Sequence, residues 1–572
     1  MSDAQVRGGG YIPTLIAGCL GVFVAQVAYS LPASVLGTIQ LDLGISGSQL
    51  TWVSASFAAA MVIFELTFGV VGDIFGRKQL LLGGLGLLIL GEVITLAGAS
   101  NVHALWTGQA IAGIGAGALY PISLTMIAAL APDAVTRARS IALWAGFLSI
   151  GAAVSPIAAG SLAENGHWKD SFWIPVALAV VAIIVALKAT NSSAPEGRTL
   201  DLPGQVTLVI GLLALVWALT EGSQGGYGQR DIVVGFVIAA VFLAAFVAIE
   251  LRTASPLVHL NLFANRSFAI TGIVAIIGMF AYLAICFSMT MFLGTVIHIG
   301  AVYIGLLFLV IQIPALLLVP LVAKLIHSVS PQWVLTLGFL CIGAAGFWAS
   351  RFDAHSFLDA HGAPHDAAFV KFIVPMILNG IGFALTVGSI TAVAINSVPL
   401  RLAGMASATT NLLRDFGFAL GPVLGGAIYN SIANRKLDAG LDAALDKAGQ
   451  QGFTVLGQPL DPHVPTESVM GALHGLAQGG GSVAVNSVPV LTDPKTGKPF
   501  VDMPFALHDL AFSSLSHAFN VTFLAAAICA LGSAVLCVVG LAGAKSASAE
   551  AVELGTDVLH EVAGVAEDVA PV

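Results

Sequence analysis

The chain has 572 residues, of which 57% are hydrophobic and only 9% charged, and its formal net charge is −9. Soluble domains carry about 25% charged residues, so this composition excludes a globular surface covered in water. With 22 basic residues against 31 acidic ones and no basic stripe, it also excludes a nucleic-acid partner. The five cysteines, Cys19, Cys286, Cys341, Cys529 and Cys537, lie singly in apolar stretches with no CxxC pair. They read as small packing residues, and neither a disulfide framework nor a metal site is expected.

A helix needs about 20 apolar residues to cross a bilayer. Fourteen spans are predicted, over 12–34, 50–71, 80–99, 104–129, 140–162, 171–188, 204–221, 232–250, 268–291, 301–323, 332–350, 370–394, 405–430 and 516–542. The first runs past signal-peptide length and is read as a span, not a cleaved leader. Lys and Arg set the orientation. With both termini cytoplasmic, thirteen of the 22 basic residues fall on inner segments and four (Lys169, Arg230, Arg351, Lys371) in short outer loops. The other five lie in one long outer insert, where the rule has little force.

Outside the spans, residues 351–369 collect His355, His361, His365, Asp353, Asp359 and Asp366; they read as a wet polar outer loop, against the alternative of a metal site that spacing alone does not fix. Residues 431–515 are too polar to span. Leu437, Leu441 and Leu445 recur every four residues there and predict a short amphipathic helix. NSVPV at 486–490 and TDPKTGK at 492–498 read as turns, so this segment is either a small external cap or a loose loop. The acidic tail over 544–572 is placed in the cytoplasm, its apolar spacing compatible with a weak surface helix.

Between spans two and three the chain reads GVVGDIFGRK, at 69–78. Gly69 and Gly72 allow close helix contact, Gly76 permits a tight turn, and Asp73 can pair with an Arg or Lys or sit at a helix terminus. This resembles the signature loop of the major facilitator superfamily. WVSASF at 52–57, LWTGQAIAGIGAG at 105–117 and WKDSFWIP at 168–175 are similar to that family's patterns in spans two, four and six. DLPG at 201–204 and ELRTASPLVHLNLFANRSF at 250–268 resemble the region around the two extra central helices of its fourteen-span, EmrB/QacA-like drug:proton antiporter branch.

The resemblance implies an all-α polytopic membrane protein with the major facilitator fold and 14 transmembrane helices. Residues 1–188 would form the N-terminal six-helix bundle and 204–250 the two inserted helices. The C-terminal bundle would comprise five helices over 268–430 and the last over 516–543. It further implies a monomeric secondary transporter in a bacterial inner membrane, exporting amphipathic organic compounds against protons by alternating access, with 69–78 (Gly69, Asp73, Gly76, Arg77, Lys78) as a cytoplasmic gating loop.

The chain departs from the branch at three places. Phe23 stands where span one usually has Asp, nine residues before Pro32. Gln109 stands where span four usually has Arg, four residues before Gly113. The span-five pattern GPxxGG is replaced by SPIAAG at 155–160, and its full form, GFALGPVLGG, occurs at 417–426 in span thirteen. Gly417, Gly421, Pro422, Gly425 and Gly426 then form a helix-packing motif.

Carboxylates at membrane depth are expensive and are functional candidates by default. Glu65 and Glu92 are the proton-coupling candidates, each against the alternative of a structural hydrogen bond; Asp415, beside Arg414, reads as an ordinary pair near the cytoplasmic face. Gln26, Gln109 and the aromatic residues Phe23, Tyr120, Trp144, Phe280 and Phe383 are substrate-cavity candidates, against ordinary packing. Pro32, Pro121, Pro156, Pro314 and Pro422 interrupt spans and can free backbone carbonyls near a cavity.

No HExxH, GxxxxGK[ST] or Ser–His–Asp pattern emerges, so no enzyme activity, ATP hydrolysis or cofactor is expected. The partners expected are a small amphipathic substrate, protons and membrane lipid. The competing readings are an uncoupled or differently coupled carrier for one lipid or metabolite, and a non-transporting scaffold whose 431–515 segment binds an external partner.

Overall fold

The computed structural model describes residues 3–45, 47–132, 134–193, 200–253, 256–297, 299–357, 368–398, 403–450, 454–455, 458–459, 491–492 and 505–542. The tail beyond 542 and most of the 351–369 and 451–504 loops lie outside them.

The fold is helical. The N-terminal half contains α1 (Asp3–Ser30), α2 (Pro32–Leu43), α3 (Gly47–Phe75), α4 (Arg77–Ala97), α5 (Val102–Leu130), α6 (Ala134–Glu164) and α7 (Trp173–Ala186). Two further helices, α8 (Leu202–Gly225) and α9 (Arg230–Glu250), form a hairpin. The C-terminal half contains α10 (Arg266–Met291), α11 (Ala301–Leu317), α12 (Val319–Ser328), α13 (Pro331–Ala349), α14 (Ile373–Asn396), α15 (Ala403–Gln450) and α16 (Phe505–Gly540). Three two-residue strands pair antiparallel in the order β2-β1-β3: β1 (Thr454–Val455), β2 (Gln458–Pro459) and β3 (Leu491–Thr492).

Local chemistry fixes several helix ends. Asn101, Asp201 and Asn265 accept from the amides of His103, Gly204 and Phe268, capping α5, α8 and α10. Pro32 opens α2, and Gly44, at φ 61°, closes it. By length and composition, twelve helices among the described residues can cross a membrane, or thirteen if the two arms of α3 count as one span. The predicted span 301–323 is divided at Leu318, where α11 gives way to α12 and Pro320 opens the second helix. The predicted amphipathic helix at 437–445 is not separate. It continues α15, and its Gly440 packs on Leu510 at the start of α16.

Two large apolar clusters fill the bundle, one mainly in the N-terminal half and one that runs from the C-terminal half into α2, α3 and α6. Phe57, Leu85, Leu119 and Met126 are buried in the first; Phe292, Phe339, Phe372, Phe519 and Phe523 in the second. The hairpin lies against α3 of one half and α15 of the other. Its outer helix α9 exposes Val233, Val234, Val237 and Val241, a continuous aliphatic face suited to lipid.

The start of α1 and the end of α16 lie at one end of the bundle, where Arg266 Nη2 donates to the Val539 carbonyl at 2.9 Å and Gly10 lies against Thr190. At the opposite end the two halves meet backbone to backbone. A Cβ on Gly160 of α6 would stand 2.5 Å from the Ala301 carbonyl oxygen, and one on Gly37 of α2 would stand 2.9 Å from that of Gly294. The Val302 amide donates to Glu164 Oε1 across the same seam at 3.1 Å. Small residues do this because lipid offers no hydrophobic drive between helices, and close van der Waals approach must supply the adhesion.

Candidate functional site

The central buried polar groups converge from both halves. Glu65 on α3 is 7% exposed, and its carboxyl lies beside that of Asp415 on α15, itself 5% exposed. Arg414 Nε donates to Asp415 Oδ1 at 3.1 Å. Tyr29 of α1 and Tyr120 of α5 both lie within electrostatic range of Asp415. Tyr120 Oη donates to Gln26 Oε1 at 2.7 Å, and Gln26 Nε2 donates to Ser30 Oγ at 2.8 Å. Trp144 Nε1 donates to Ser123 Oγ at 2.9 Å, two helices away on the same wall.

The C-terminal half faces this wall with rings and amides. Tyr282 stacks on Phe383 with ring centroids 4.5 Å apart, and Phe418, one turn beyond Arg414, stands edge-on to Tyr282 at 6.0 Å. Asn379 Nδ2 reaches the Tyr282 carbonyl and Cys286 Sγ, each at 3.4 Å. Tyr29 Oη, Glu65 Oε2 and Asn379 Oδ1 are buried without a hydrogen-bond partner. Such atoms are costly unless something binds them, and here they come from both halves.

Glu65 also sits at a break in its helix. The arms Gln49–Glu65 and Thr67–Phe75 of α3 meet at 49°. Gln205, from the first turn of α8, donates from Nε2 to the Ile63 carbonyl at 2.9 Å, and its Oε1 accepts from Thr67 Oγ1. A side chain inserted into the carbonyl ladder is a recognised cause of a kink.

The other predicted residues fall elsewhere. Glu92 and Gln109, both fully buried, pair between α4 and α5, where Gln109 Nε2 donates to Glu92 Oε2 and Thr95 Oγ1, each at 3.3 Å. This pair is internal to the N-terminal half and apart from Glu65. Phe23 packs edge-on to Phe147 at 6.2 Å, and Phe280 is buried in the C-terminal core.

In the 69–78 loop, Arg77 Nη2 donates to Asp73 Oδ1 at 2.7 Å, and Lys78 Nζ donates to the Leu187 carbonyl at 2.6 Å. Gly76 turns at φ 108° against Asn191, and a Cβ on Gly69 would meet open space. The loop therefore grips the segment following α7. In the 417–426 motif, a Cβ on Gly417 would be 2.5 Å from the Ile276 carbonyl oxygen and one on Gly421 2.8 Å from Leu283. These two residues hold α15 against α10, Gly426 meets Thr51 of α3, Gly425 has only ordinary contacts, and Pro422 lies within the helix.

Sequence reasoning underweighted Asp415 and did not single out Tyr29, Tyr282, Asn379, Phe418 or Gln205. The available signal was an Arg-Asp pair inside an apolar run, immediately before the 417–426 motif. Among the described residues no group of three or more metal-ligating side chains occurs.

Over 471 residues the chain is 29% identical to multidrug resistance protein Stp of Mycobacterium tuberculosis (strain CDC 1551 / Oshkosh), covering 82% of this chain and 83% of that protein. It is 24% identical over 442 residues to multidrug resistance protein 3 of Bacillus subtilis (strain 168), covering 77% and 84%. An auto-inhibited POT family peptide transporter of known structure superposes with a TM-score of 0.56 over 75% of this chain and 91% of that one, at 14% identity, a likeness of fold alone. The pattern of the Major Facilitator Superfamily matches residues 18–422, more than half of the sequence, and the chain belongs to that superfamily of membrane transporters.

Proposed function

We propose that the protein is a proton-coupled exporter of amphipathic organic compounds, working by alternating access. Membership of a carrier family makes it a transporter and not an enzyme. The observation that carries the coupling is the meeting of Glu65 with Asp415 beside Arg414, across the boundary between the halves. Two adjacent buried carboxyl groups and one guanidinium are neutral with one proton bound and carry one negative charge without it. A cavity between halves that rock against each other is where such a change does work. Export of drug-like molecules is supported by the names of the relatives.

In this reading the chain has fourteen spans, the arms of α3 making one and α11 with α12 another. The termini face the cytoplasm of a bacterial inner membrane, the protein is a monomer, and the site is closed toward the outside by the Gly160–Ala301 seam. The substrate rests between Gln26, Tyr29 and Tyr120 on one wall and Tyr282, Phe383 and Asn379 on the other. The second reading is an uncoupled carrier, favoured by Phe23 and Gln109 at the family's usual Asp and Arg positions.

The test is proton release from the purified protein in detergent when cationic, neutral and anionic amphiphiles are added. Wild type and Glu92→Gln are expected to release protons, while Glu65→Gln and Asp415→Asn bind the same compound without release. Binding without release in wild type would favour the uncoupled carrier.

A further inference from the structure

The inserted hairpin reaches the backbone of α3 beside Glu65 through Gln205. Gln205 is 7% exposed, and both ends of its amide are spent on α3: Nε2 on the Ile63 carbonyl at 2.9 Å, Oε1 on the Thr67 hydroxyl. In a regular helix the Ile63 carbonyl accepts from the amide four residues on, which belongs to Thr67. Gln205 therefore engages the carbonyl of one of the two residues that bracket Glu65 and the side-chain hydroxyl of the other, at the place where α3 bends by 49°.

The anchor that holds Gln205 is itself fixed. Asp201 Oδ1 accepts from the Gly204 amide at 2.8 Å, pinning the first turn of α8. Asp201 also lies beside Glu250, the last residue of α9, whose Oε2 accepts from the Val258 amide at 3.0 Å. Further along, Trp52 Nε1 donates to Glu221 Oε1 at 2.9 Å, fastening the other end of α8 to the other arm of α3. The hairpin thus grips α3 on both sides of its bend.

We infer that Gln205 is a positioning residue for Glu65: it holds the bend in α3 that brings the Glu65 carboxyl to Asp415, and so makes the inserted hairpin part of the coupling machinery. This rests on the proposed role of Glu65. A straight α3 would rotate and lift residues on one side of position 65 relative to the other, and a carboxyl–carboxyl contact tolerates little of that. Gln205 touches neither proton nor substrate. Its effect is exerted through the backbone of α3.

Two measurements on the full chain in nanodiscs test this. The first is the distance between spin labels on Ser54 and Phe75, one on each arm of α3. Gln205→Leu is expected to lengthen it, Thr67→Val to change it less because the Nε2 bond survives. An unchanged distance in Gln205→Leu would overturn the inference whatever Glu65 does. The second is proton release on adding a compound that wild type binds with release, tetraphenylphosphonium being the first probe. Gln205→Leu is expected to release fewer protons, with the pH midpoint of binding moved, while its melting temperature stays near that of wild type.

Gln205→Asn, one methylene shorter, is expected to behave as Gln205→Leu. Proton release and a pH midpoint equal to wild type in both variants, despite a straightened α3, would overturn the positioning role. If Glu65→Gln itself leaves release intact, the coupling reading fails instead, and the label distance still decides whether Gln205 holds the bend.

Discussion

The carboxyl groups of Glu65 and Asp415 lie side by side from opposite halves of the molecule, on α3 and α15, with Arg414 as the adjoining cation. Two adjoining carboxyl groups repel each other when both are ionised, so a proton taken up or lost by the pair changes both the charge of the site and the contact between the halves. If substrate binding displaces that proton, linkage fixes the sign: binding strengthens as pH rises, by about tenfold per pH unit where one proton is released. Glu65→Gln and Asp415→Asn, which retain size but cannot ionise, are expected to flatten this dependence. Calorimetric binding across a pH series checks it, and a slope unchanged in both variants would remove the pair from the coupling step. Glu92→Gln should keep the wild-type slope, because its partner Gln109 belongs to the same half.

Tyr120 and Gln26 offer a simpler test of the N-terminal wall. Their 2.7 Å bond joins α5 to α1, and both residues are nearly buried. Tyr120→Phe leaves the Gln26 carbonyl oxygen without its donor, which costs about 1–3 kcal/mol in a buried setting. Gln26→Leu should cost a similar amount, and the double variant little more than either single one. A double-mutant cycle on thermal stability measures the coupling. Additive losses would mean that the two side chains act separately.

How much of this was legible in the sequence depends on the range of the interaction. Spans follow from unbroken apolar runs, and the 69–78 turn from Gly76 and the Asp73–Arg77 spacing, because these are local properties of the chain. Asp415 reads in the sequence as an ordinary pair because it is a carboxylate next to an arginine, and the structure contains that pair. Its second partner, Glu65, is 350 positions away in the chain and is joined to it only by tertiary packing. Gln205 was missed for the same reason: a glutamine one turn into a helix carries no period and no motif, and its role exists only through Ile63 and Thr67. The kink at Glu65 has no proline to announce it, since its cause lies on another helix.

The cap on α8 predicts a graded response. Asp201→Asn keeps an acceptor for the Gly204 amide, whereas Asp201→Ala removes it along with the contact to Glu250. Loss of a cap costs about 0.5–2 kcal/mol. Asp201→Ala should therefore lower the melting temperature measurably and loosen α8, read as faster hydrogen exchange at residues 203–206. Asp201→Asn should stay closer to wild type in both. Equal exchange in the two variants would show that the amide bond, not the residue's charge, is irrelevant to the first turn of α8.

The seam opposite the start of α1 and the end of α16 sets the last prediction. Gly160 of α6 faces the Ala301 carbonyl of α11 so closely that a Cβ would stand 2.5 Å from the oxygen, and backbone on both sides leaves no flexible atom to yield. Gly160→Leu must therefore push the two helices apart or tilt them. Overpacking of this kind costs about 1–3 kcal/mol, charged only to conformations in which the seam is shut. The expected result is a population shift toward opening at that end, with the protein still folded. Spin labels at Ser161 on α6 and Tyr303 on α11, both at exposed positions, should report a longer and broader distance distribution than in wild type. Transport should fall because one of the two alternating states has become costly, while substrate binding from the opened end becomes faster. A distance distribution identical to wild type in a folded Gly160→Leu protein would mean that the contact does not hold the halves together.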